Sequence, residues 1–164
     1  MTTTLIIELP SLGATAVFGQ RLAQHLFPGT VVALIGPLGA GKTHLVRAIA
    51  AGLGVADSRI VSSPTFVLIQ EYEGRLPIYH FDAYRLRGES EFDELGAHEY
   101  FQSGGVCLVE WGDRVPGSMP AERMEIRLTV VGETARHAEL TAHGRRYCEI
   151  LEKLTTGTDL AEEG

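Results

Sequence analysis

Gly36, Gly41, Lys42 and Thr43 stand at the spacing G-x-x-x-x-G-K-[ST] in GPLGAGKT, residues 36–43. That spacing suits phosphate chemistry. Glycines let a backbone turn tightly and aim several N–H groups at one anion, and a helix that follows adds the positive end of its dipole. The backbone of Gly36, Gly39, Ala40 and Gly41 is expected to wrap a polyphosphate. Lys42 should reach the outer phosphates and the Thr43 hydroxyl should ligate Mg²⁺. The plainer reading is a glycine-rich turn before a core helix, and the apolar run VVALI immediately upstream argues against it.

Such a site also needs carboxylates. One holds the metal, directly or through water, and a second group orients or deprotonates an attacking water. Asp82 in HFDAY and Glu110 at the end of VCLVE follow apolar runs. Both should emerge at the carboxyl ends of strands, where open α/β sheets gather their ligands. Glu110 is favoured as the metal-side acid and Asp82 as the catalytic or water-positioning acid, with the reverse assignment open. Either one alone reads as a solvated strand-end carboxylate. The pair, downstream of a glycine loop, argues for chemistry. Lys42, Asp82 and Glu110 are therefore the catalytic candidates.

Trp111, the sole tryptophan, follows Glu110. A buried tryptophan is usually core packing, but beside a site acid it can sense a nucleotide or a partner. In SSPTF, residues 62–66, Pro64 holds Ser63 extended. Thr65 could then offer its hydroxyl to Mg²⁺ or a γ-phosphate, in a loop that orders with triphosphate and relaxes after hydrolysis. An ordinary turn entering a strand is the competing reading. His80 and His98 could be ligands, although a strand histidine is more often structural. The set His80, Asp82, Tyr84 and Arg85 is denser in polar function than a plain strand needs.

Two cofactor classes are disfavoured. The dinucleotide fingerprint G-x-G-x-x-G fails, because His44 stands where its third glycine belongs. The Asn-Lys-x-Asp segment that commonly selects guanine is impossible, since the chain contains no asparagine. ATP is the expected nucleotide.

The elements that must carry these residues follow from periodicity. Strands are expected at 4–9, 31–35, 66–72, 77–84, 106–111, 124–131 and 136–142, and helices at 13–27, 42–53, 89–101 and 145–154. Phe18, Leu22 and Leu26 recur at four-residue spacing and mark one face of the first helix, with Ser11 or Gly13 as its cap. Residues 112–121, rich in Gly and Pro, read as a loop. Alternating strands and helices predict an α/β domain with a mixed, mostly parallel central sheet flanked by helices. A single domain is expected over 1–154, with a disordered acidic tail over 155–164.

Composition narrows the setting. A net charge of −7 with scattered basic residues disfavours autonomous nucleic-acid binding. No apolar run approaches the roughly 18 residues that a membrane span needs. Cys107 and Cys148 are far apart, so a disulfide framework and a cysteine zinc site are both unexpected. A reduced, cytoplasmic setting is the default.

GPLGAGKT, SPTF, H-x-D-x-YRL and VEW, in that order and at these intervals, resemble the TsaE family, the small P-loop ATPases of bacterial tRNA threonylcarbamoyladenosine (t6A) biosynthesis. The resemblance covers about residues 5–142. It implies ATP at Gly36–Thr43, Mg²⁺ on Thr43 and Glu110, Thr65 in a switch-like loop and a part for Asp82 in hydrolysis. It further implies that Thr15 lies near the adenine and that Arg136 reaches the nucleotide. His44 is a departure, because the family often has another Thr there. The partners implied are TsaD and TsaB, on whose complex the ATPase acts. Two other readings compete: a small-molecule kinase on the same fold, for which Arg85 and Arg87 could mimic a phosphate lid, and a non-catalytic nucleotide-binding adaptor.

Overall fold

The computed structural model describes residues 1–61 and 68–156 of the chain. Seven strands form one sheet: β1 (Thr2–Leu9), β2 (Val31–Ile35), β3 (Ile69–Glu73), β4 (Pro77–Asp82), β5 (Val106–Glu110), β6 (Arg123–Val130) and β7 (Arg136–His143). Their order across the sheet is β1-β7-β6-β2-β5-β4-β3. β2 runs parallel to β5 and β6, and β4 runs parallel to β5. β7 is antiparallel to β6 and β1, and β3 to β4. Five strands therefore share one direction, with β3 and β7 reversed.

Burial explains the two kinds of strand. β2 and β5 are buried at every position, as strands covered on both faces must be. In β6 only Met124, Ile126 and Leu128 are buried, because helices cover one face there. One core joins that face to the helices α1 (Leu12–Ala23), α2 (Lys42–Gly52) and α5 (Arg145–Thr156). A second core, on the other face, joins β4 and β5 to α3 (Glu89–Glu94) and α4 (Ala97–Phe101) through Phe81, Phe92 and Phe101.

α1 is capped by Ser11, whose Oγ accepts from the Ala14 N–H at 3.1 Å. It packs closely on α2, where a Cβ at Gly19 would lie 2.5 Å from the Ala48 Cβ. That approach fixes α2, and with it the start of the glycine loop.

Several boundaries differ from expectation. The first helix ends at Ala23, not residue 27, because Phe27 and Thr30 form a turn in which the Thr30 hydroxyl bonds the Phe27 carbonyl at 2.6 Å. The helix expected over 89–101 is broken at Gly96, whose φ of 82° no α-helix contains. The loop at 112–121 holds two short 3₁₀ turns, Gly112–Arg114 and Pro116–Ser118. Thr155 and Thr156 continue α5, and the rest of the expected acidic tail lies outside the described residues. Among the described residues no helix is long and apolar enough to cross a membrane.

Candidate functional site

β2 delivers the chain into the glycine loop, and α2 starts at Lys42. Gly36, Gly39 and Gly41 all have positive φ, at 154°, 80° and 97°. The loop is also hemmed in: a Cβ on Gly36 would lie 2.8 Å from the Leu128 carbonyl oxygen and 3.1 Å from the Ala40 Cβ. Only glycine fits such a cradle. Arg136, from β7, clamps the loop from outside. Its Nε donates to the Ala40 carbonyl at 2.8 Å and its Nη2 to the Gly39 carbonyl at 3.1 Å. A trans peptide points its N–H opposite to its carbonyl, so the Ala40–Gly41 peptide turns its N–H away from Arg136.

Lys42 is only 5% exposed. Its Nζ donates to the carbonyls of Gly36 at 2.6 Å and Pro37 at 2.9 Å, and it sits 4.0 Å from the centroid of the Trp111 ring. Burial pushes its ammonium below the ordinary lysine value, against the opposing pull of Glu110, Asp82 and Asp113. Trp111 has φ 63° and ψ 35°, a left-handed conformation that costs a side chain of this size about 1–2 kcal/mol. Its ring also stacks at 4.9 Å on Tyr84, and Arg114 lies over both.

Asp82 and Glu110 face one another in the parallel register of β4 and β5. Glu110, 3% exposed, accepts from the Thr43 hydroxyl at 3.2 Å on Oε1 and 3.1 Å on Oε2. Its Oε2 also lies 2.5 Å from the His80 Nε2. Asp82 Oδ1 accepts the Tyr84 N–H at 2.9 Å. A cleft of about 430 Å³ opens over this group, lined by Gly41, Lys42, Thr43, Asp82, Glu110 and Trp111 among others. Threonine and carboxylate oxygens are donors suited to a hard divalent cation, and the loop and Lys42 suit phosphate. Among the described residues, no three His, Cys, Asp or Glu side chains are grouped to hold a metal.

Of the residues singled out from sequence, Gly39, Gly41, Lys42, Thr43, Asp82, Glu110 and Trp111 meet in this cleft. Gly36 and Ala40 lie behind it in the loop. Thr15 does not line the cleft. It is buried on α1, with its hydroxyl 3.4 Å from the Ser11 carbonyl. Arg136 engages the loop backbone instead of the cleft. Thr65 lies outside the described residues. His98 is exposed on α4 and pairs with Gln102 at 3.2 Å; it lines a separate hollow beside Val31, at the opposite end of β2. Arg85 lines the cleft, while Arg87 points outward beside Glu91. His44 bonds the Leu12 carbonyl at 3.3 Å and so ties α2 to α1. Sequence reasoning missed the Arg114–Tyr84–Trp111 stack, whose only local trace is an arginine three residues after the tryptophan.

A family model described as threonylcarbamoyl adenosine biosynthesis protein TsaE matches residues 9–138. The chain belongs to the TsaE family. Among its relatives are TsaE proteins of Bacillus subtilis, 47% identical over 86% of this chain and 87% of the relative, and of Treponema pallidum, 42% identical over 74% and 89%. A crystal structure of Bacillus subtilis YdiB superposes with a TM-score of 0.82 at 37% identity, covering 94% of this chain and 96% of that one. The TsaE match spans the glycine loop, both strand-end acids and Arg136, so the whole cleft lies within the family's shared region.

Proposed function

We propose that the chain is the ATP-binding and ATP-hydrolysing component of the t6A modification machinery, acting as a switch on a TsaD–TsaB complex. One observation carries the reading: Thr43 and Glu110, 67 residues apart in sequence, share a hydrogen bond beside a shielded lysine and a glycine cradle. In that role the loop amides and Lys42 hold the phosphates. Lys42 exchanges the Gly36 and Pro37 carbonyls for phosphate oxygens. Thr43 and Glu110 would hold Mg²⁺, which neutralises charge on the phosphate oxygens when bound. Asp82, on the neighbouring strand end, orients the attacking water or accepts its proton. Trp111 senses occupancy through Lys42, and Arg136 serves the nucleotide by holding the loop.

The names of the relatives tie them to threonylcarbamoyladenosine biosynthesis, and the same role is proposed here. A chain of net charge −7 suits docking on a protein that handles the tRNA itself. Two free, buried cysteines fit a reduced cytoplasmic setting.

The test is reconstitution. Adding this chain with ATP to TsaD and TsaB should sustain repeated rounds of tRNA modification, and ATP hydrolysis by the chain should rise on mixing. Equal turnover with and without the chain would overturn the role. Calorimetric titration showing GTP preferred over ATP would overturn the nucleotide.

A further inference from the structure

His80 is the one buried histidine among the described residues, with no exposure at all. Its Cα partner on β5 is Leu108, and Glu110 is two residues further along. Residues two apart on a strand share a face, so His80 and Glu110 are diagonal neighbours on one side of the sheet. The His80 Nε2 lies 2.5 Å from Glu110 Oε2, and its Nδ1 is buried with no hydrogen-bond partner among the described residues.

The orphaned nitrogen decides the tautomer. A buried N–H donor without an acceptor is a heavy penalty, so the ring proton belongs on Nε2 against the carboxylate and not on Nδ1. With its proton on Nε2 the ring donates to Glu110 and leaves only a lone pair unmet. Glu110 Oε2 is occupied by His80 and Thr43, while Oε1, among the described residues, accepts from Thr43 at 3.2 Å. Removing His80 alone would leave a buried carboxylate oxygen of Glu110 with one donor fewer, so the ring is held there by what it does for that oxygen.

We infer that His80 is a positioning residue for Glu110: it pins Oε2, fixes the rotation of the carboxylate and leaves Oε1 aimed at the cation that accompanies the bound nucleotide. The inference rests on the nucleotide-site reading given above. Outer partners that orient a ligating carboxylate commonly affect metal affinity about 10–100-fold.

The experiment measures Mn²⁺ affinity by electron paramagnetic resonance in the complex with ADP, and ADP affinity by calorimetry in EDTA. His80→Leu should weaken Mn²⁺ about tenfold or more while ADP binding without metal stays within about twofold. His80→Gln, whose amide can still donate to Oε2, should recover most of the Mn²⁺ affinity. In a Glu110→Ala background, His80→Leu should add no further loss. Wild-type binding of Mn²⁺ and ADP with His80→Leu unchanged would overturn the assignment of His80 alone. So would equal losses in His80→Leu and His80→Gln, or an additive loss in the double variant. A wild-type chain that binds no ADP would overturn the nucleotide site and this inference with it.

Discussion

The two ends of β2 and β5 solve the same problem in opposite ways. At the amino end polar groups bond one another. Thr30 bonds both the N–H and carbonyl of Phe27, the Tyr147 hydroxyl accepts the Val31 N–H at 2.9 Å, and Arg146 lies 3.7 Å over the Phe27 ring. At the carboxyl end Lys42, His80, Asp82 and Glu110 crowd together, nearly as buried, under a cleft. Their bonds are provisional: an ammonium resting on two carbonyls and a ring, and a carboxylate lent to a hydroxyl. One end spends its polar groups on holding the fold. The other gathers them under a cleft, as the proposed phosphate and cation site would require.

The strongest way to break this contrast is Lys42→Ala. It should cost about 100-fold in ATP affinity, as losing one partner of a buried charged contact commonly does, with little change in folding. Calorimetry would check it, and retained tight binding would refute the loop assignment. Next is Glu110→Ala. Mg²⁺-dependent turnover should fall about 100-fold in a steady-state assay, while metal-free nucleotide affinity changes by less than about threefold.

The amino end should respond in reverse. Tyr147→Phe removes the acceptor of a buried N–H and should cost about 1–2 kcal/mol in a denaturant titration, leaving nucleotide affinity alone. A further effect concerns Cys107, whose thiol burial pushes up to about 12 from an ordinary 9.0. The unfolded chain then loses that proton before the folded one does. Stability from this group is full below about pH 9 and is lost progressively as the pH rises towards 12. Chemical denaturation at pH 8 and pH 10.5 should show the decline, and its absence in Cys107→Ala would assign it.

Much of the carboxyl end was legible because its signals are local. The loop spacing, the wholly apolar VVALI and VCLV, and an acid at the end of each neighbouring strand lie within short windows. What was not legible was non-local. Two strands at 124–131 and 136–142 read from the sequence, but nothing in it sets β6 beside β2, so that Arg136 reaches the Ala40 carbonyl 96 residues away. Nor does any window show His80 meeting Glu110, which depends on the register of β4 against β5. The family resemblance implies Thr15 near the adenine; in the fold its hydroxyl lies 3.4 Å from the Ser11 carbonyl at its own helix start. Helix ends were misjudged wherever a turn competed with continuation, at Phe27–Thr30 and at Gly96.

The perch of Lys42 on Trp111 has one more consequence. The chain has a single indole, and a cation rests on its face at 4.0 Å. Displacement of that ammonium should change the light the ring emits, even with Tyr84 and Arg114 still against it, which would make the indole an optical gauge of the cleft without any attached dye.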